Sequence, residues 1–116
     1  MTNSLDALAN NVNNYKYKEL WNGRTNSGET ITFTVDINEL NWRSLLIAFY
    51  YSSMNAIAFC TLPKELCDIE SNIYMPVTFL SEITTVAVVP HVYNNTFAPS
   101  WDDANFKLYK IFAELN

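Results

Sequence analysis

From Tyr17 onward, the hydrophobic period of this chain is two. The clearest case is Thr30-Ile31-Thr32-Phe33-Thr34-Val35, with Ile31, Phe33 and Val35 on one side and the threonines on the other. Successive side chains of a strand point to opposite faces, so this pattern predicts a half-buried β-strand. A second run, Leu45-Leu46-Ile47-Ala48-Phe49-Tyr50-Tyr51, is apolar on both faces, which suits a central strand. The turn residues 52–55 lead into 56–62, so the two runs predict a hairpin that ends at Pro63 and the charged pair Lys64-Glu65.

Further strands are expected at 17–21, at 73–80 with Pro76 marking an edge or bulge, and at 84–89 before Pro90. Residues 22–28 are turn chemistry, because Gly and Asn tolerate positive φ. Residues 91–104 read as a long polar and aromatic loop. Trp21 and Trp42 read as core. The last segment, 105–115, is open to two readings: Leu108, Ile111, Phe112 and Leu115 fit a helix face, whereas Tyr109, Ile111 and Ala113 fit a strand. About seven short strands predict an all-β fold, an antiparallel β-sandwich of jelly-roll type over residues 16–116.

Residues 1–15 differ. Leu5, Leu8 and Val12 recur at i, i+3, i+7, with Asn3 or Ser4 as N-cap and Asp6 in the first turn. The pattern predicts a short amphipathic helix, too short to stand alone in water. Its partner is either the domain or other copies of itself.

The chain has 116 residues, 49% hydrophobic, 15% aromatic and 16% charged. That excludes a disordered segment, which needs low hydrophobicity and high charge. Two cysteines exclude a disulfide-built miniprotein, and two glycines exclude a glycine-rich phosphate loop. Cys60 and Cys67 lack metal or redox spacing and are expected to be reduced thiols. The net charge is −5 and the basic residues are scattered, so neither nucleic acid nor an anionic membrane is an expected partner. No window is apolar enough for membrane insertion, and the first residues lack a signal-peptide pattern, so synthesis and folding in a cytoplasm are expected.

Catalytic signatures are weak. His91 is the only histidine, no nucleophile elbow is present, and the acidic pairs Asp102-Asp103 and Asp68/Glu70 lack calcium-loop order. The chain reads as a non-enzyme without cofactor or metal. Binding is the better reading. Tyr93, Asn94, Asn95, Trp101, Asp102 and Asp103 combine aromatic faces, which stack on sugar C–H surfaces, with groups that hydrogen-bond hydroxyls. The alternative is that these aromatics cap the ends of the core; the loop around Trp101 is open to both.

One set of motifs resembles a known family. Glu19-Leu20-Trp21-Asn22-Gly23, a Ser/Gly turn, then Thr30-Ile31-Thr32-Phe33 is similar to the C-terminal β-sandwich domains of tailed-phage tail fibre, tailspike and baseplate-associated receptor-binding proteins. Residues 41–50 fit that family's apolar strand, and 105–113 its closing strand. The family's closing Tyr-Gly is Phe112-Ala113 here, and the loop from Pro63 to Asn72 has no place in the pattern. The resemblance implies strand for the last segment. It also implies a homotrimer held in part by Leu5, Leu8 and Val12, contacts with other tail proteins, host-surface glycan as ligand, and a place in the virion tail. The alternatives are a free carbohydrate-binding sandwich or a small intracellular interaction or inhibitor protein.

Overall fold

The computed structural model describes residues 16–67, 73–80 and 83–116. The expected N-terminal helix with Leu5, Leu8 and Val12, and the Asp68/Glu70 pair, lie outside the described residues.

The described chain is all-β and antiparallel. Its strands are β1 (Tyr17–Thr25), β2 (Ile31–Thr32), β3 (Trp42–Tyr51), β4 (Ala56–Pro63), β5 (Met75–Phe79), β6 (Thr84–Val88), β7 (Val92–Tyr93), β8 (Thr96–Phe97) and β9 (Phe106–Leu115). One turn of 3-10 helix at Ile37–Glu39 and a short helical turn at Lys64–Cys67 complete the described elements. They form a four-stranded sheet in the order β1-β9-β3-β4, a three-stranded sheet β2-β8-β7 and a two-stranded sheet β5-β6.

The predicted hairpin is present: β3 and β4 pair from Ser44 with Pro63 to Tyr51 with Ala56. On β3, Leu45, Ile47, Phe49 and Tyr51 turn inward. Within 105–115 the chain is strand from Phe106 to Leu115, and this β9 lies between β1 and β3. Side chains from all three sheets share one core, with Phe106 stacked on Phe49 at 4.6 Å and edge-on to Phe79 at 5.8 Å.

Several local expectations are corrected. Strand β1 continues through Asn22-Gly23-Arg24 to Thr25, so the turn narrows to Ser27 and Gly28, where Gly28 has φ of +82°. Gly23 serves a different purpose from turning: a Cβ there would stand 2.6 Å from the Trp21 ring, so the indole lies across the glycine. The alternation at 31–35 sets the faces as expected, with Ile31 and Phe33 buried, but only Ile31–Thr32 joins a ladder. The stretch 91–104 is not wholly loop. The hairpin β7–β8 sits within it, and Val89 bridges to Ser100. Trp42 is buried as expected, and Trp21 is half-buried against the core.

Candidate functional site

The residues predicted for ligand binding fall into two separate places. Tyr93, Asn94 and Asn95 form the tip of the β7–β8 hairpin. Asn94 takes φ of +53°, a left-handed conformation that asparagine tolerates. Tyr93 is 75% exposed. Asn95 faces the other way: its Oδ1 accepts from the Ile37 amide at 2.8 Å, and its Nδ2 donates to the carbonyls of Val35 at 2.9 Å and Phe33 at 3.3 Å. A side chain that satisfies three backbone groups is a tie between segments. Only Tyr93 and Asn94 of this trio present themselves outward.

Trp101, Asp102 and Asp103 line a shallow groove of about 370 Å³ with Asn26, Ser27 and Lys107. Trp101 is 7% exposed and belongs to the core, edge-on to Phe106 at 5.1 Å and to Phe49 at 5.8 Å. Its amide donates to Ser27 Oγ at 2.7 Å, which fastens the loop to the turn after β1. Asp103 is also engaged. Its Oδ2 accepts from the Tyr51 hydroxyl, and its Oδ1 accepts from the Asn105 amide at 2.9 Å. Of the two readings for this loop, the geometry favours core capping: the indole offers no open face for a sugar. The groove also presents the exposed Asp102 carboxylate and the Lys107 ammonium, which donates to Asn26 Oδ1.

The feature that sequence reasoning missed is apolar and lies on the four-stranded sheet. Along β4 the small side chains Ala56, Ala58 and Cys60 are half-buried while Ile57 and Phe59 point outward, 56% and 70% exposed. Leu80 and Ile83, beside the β5–β6 turn, are each 84% exposed. Ile83 sits at φ of +48°, a conformation strained for a β-branched residue. The outer sides of antiparallel sheets ordinarily carry polar residues. The small–large alternation Ala-Ile-Ala-Phe gave no warning of this, because burial of the large members is the ordinary expectation.

Among the described residues, Cys60 and Glu114 have shifted acidities. Burial pushes the Cys60 thiol up to about 11, against Met75 Sδ at 3.8 Å. Cys67 also carries a thiol and donates to the Pro63 carbonyl at 3.6 Å. Glu114 is held below the usual carboxylate range by hydrogen bonds from Arg43 and from Ser44 at 3.0 Å. Among the described residues, no three His, Cys, Asp or Glu side chains gather closely enough to hold a metal ion. No described helix is long and apolar enough to cross a membrane.

No protein-family model, curated protein or solved structure matches this chain.

Proposed function

We propose that this chain is a non-enzymatic module of a tailed-phage tail fibre or baseplate, a small β-sandwich of jelly-roll type that works by assembling with copies of itself and with other tail proteins. The observation that carries the reading is the row of large apolar side chains left outside the core: Ile57, Phe59, Leu80 and Ile83. Contiguous apolar surface of this kind is characteristic of a protein that functions in contact with other protein. Support also comes from the strands that bear the family-like motifs. Leu20-Trp21-Asn22-Gly23 is on β1, the apolar run is on β3, and the closing segment is β9, which lies between them.

On this reading the assembly is a homotrimer, with Leu5, Leu8 and Val12 as its stem and the virion tail as its location. Nucleic acid and membrane insertion play no part, consistent with the net charge of −5. Chemical cross-linking of the full chain at micromolar concentration tests it. A ladder that stops at three copies is expected; a single band at one chain contradicts the reading.

Attachment to a host-surface glycan is a second role, favoured by Tyr93, which stands 75% exposed beside Asn94. An exposed ring next to an amide suits a neutral sugar. Glycan-array binding that disappears with Tyr93→Ala supports it, and binding unchanged by that substitution removes it.

A further inference from the structure

Three of the most exposed apolar residues gather in one place. Ile57 and Phe59 on β4, and Thr78 and Leu80 at the end of β5, line one groove of about 350 Å³. The groove runs between two sheet edges. In the four-stranded sheet β4 is terminal and pairs only with β3, and β5 pairs only with β6. At the far end the two strands close up, where Cys60 Sγ approaches Met75 Sδ. Natural sheet edges are usually protected by charge, proline or a covering element. Here Ala56 to Leu62 contains no charged residue, and Pro63 comes only at the strand's last position.

The chemistry of the groove selects its occupant. A sugar needs hydroxyl partners, but the polar side chain here, Thr78, shares its Oγ1 with Thr85 Oγ1 at 2.8 Å. A charged peptide would find no counter-charge on β4 or β5. Neighbouring copies bring the same neutral surface, and around a three-fold axis these apolar patches face one another. This arrangement also keeps the acidic remainder of each chain away from the contact. The exposed parts of Ile57, Phe59, Leu80 and Ile83 amount to roughly 500 Å² per copy, about 1,000 Å² across two, which reaches the lower bound of a specific interface.

We infer that the outward side chains of β4, with the groove between β4 and β5 and the adjoining β5–β6 turn, are the surface through which copies of this chain contact one another, the neighbouring copies covering Ile57, Phe59, Leu80 and Ile83. This rests on the assembly reading for the association itself and adds where the contact lies. The test is light scattering of the full chain during size exclusion, comparing wild type, Phe59→Lys, Leu80→Lys and the double variant Leu5→Asp/Leu8→Asp, with thermal melts of each. Phe59 and Leu80 are on the surface, so the lysine variants should melt within a few degrees of wild type. The inference expects an assembled wild type and association weakened at least about 100-fold by either lysine. Should one lysine variant fail to fold, the other decides. Lysine variants that assemble like wild type overturn the inference. If the aspartate pair alone then dissolves the assembly, the stem reading stands without it. A wild type that stays monomeric throughout the micromolar range overturns both.

Discussion

The side-chain amide of Asn95 closes on the backbone of Ile37: Oδ1 accepts the Ile37 N–H at 2.8 Å. The same amide donates to the Val35 carbonyl at 2.9 Å, so one residue at the base of the β7–β8 turn holds the irregular stretch after β2. Truncation would leave partly buried backbone groups without partners. Asn95→Ala should therefore cost about 1–3 kcal/mol in urea unfolding. Asn95→Asp keeps the acceptor for Ile37 but sets a carboxylate oxygen against two carbonyls, and should also destabilise. A loss within experimental error for both would show that the tie contributes nothing.

Trp101 and Tyr93 should respond in opposite ways. Trp101 packs edge-on against Phe49 and Phe106, so Trp101→Ala should cost about 3–5 kcal/mol. Tyr93 is mostly solvated, and Tyr93→Ala should change stability by no more than about 0.5 kcal/mol. Melting curves of the two variants check both. A stable Trp101→Ala protein would return the indole to the surface and reopen it as a sugar platform.

Gly23 should not accept a side chain. With a Cβ placed 2.6 Å from Cζ2 of Trp21, the half-buried indole has to move off the strand. Gly23→Ala is expected to lower stability by about 1–3 kcal/mol, and Trp21 fluorescence should shift with it. A Gly23→Ala protein at least as stable as wild type contradicts the close approach.

Alkaline pH should weaken the fold through Cys60. The unfolded thiol ionises near its ordinary value of 9.0, whereas the folded one keeps its proton to about 11. The stabilisation is complete below pH 9 and is lost as pH rises from there toward 11, at up to about 1.4 kcal/mol per pH unit. Urea midpoints at successive pH values from 8 upward should therefore fall more steeply for wild type than for Cys60→Ala. Parallel slopes would mean that the thiol is open to solvent.

What the sequence disclosed followed from local apolar pattern. The β3–β4 hairpin was legible because two apolar runs flank the turn residues 52–55, and the buried faces of Ile31 and Phe33 because their alternation with threonine is unbroken; on β3, apolar on both faces, the sequence did not say which side turns inward. The last strand was not legible, and its geometry explains why. Ala48 pairs with Lys110 while Phe49 pairs with Leu108, so Tyr109 has no partner across from it on β3. This bulge shifts the phase. The buried residues run Phe106, Leu108, then Ile111 and Ala113, and the step of three between Leu108 and Ile111 mimics a helix face. Trp101 was ambiguous for another reason. Its burial is decided by Phe49, far away in sequence, and loop composition carries no trace of that contact. On β4 both faces are apolar, so alternation alone could not say that Ile57 and Phe59 would be the exposed ones.

Assembly of this chain with its own copies is the proposal on which the trimer, the stem and the β4 surface all depend. Sedimentation velocity of the full chain across the micromolar range tests it most directly. The account predicts a species three times the 13.3 kDa chain mass, persisting on dilution. A single species at the mass of one chain throughout that range would contradict it.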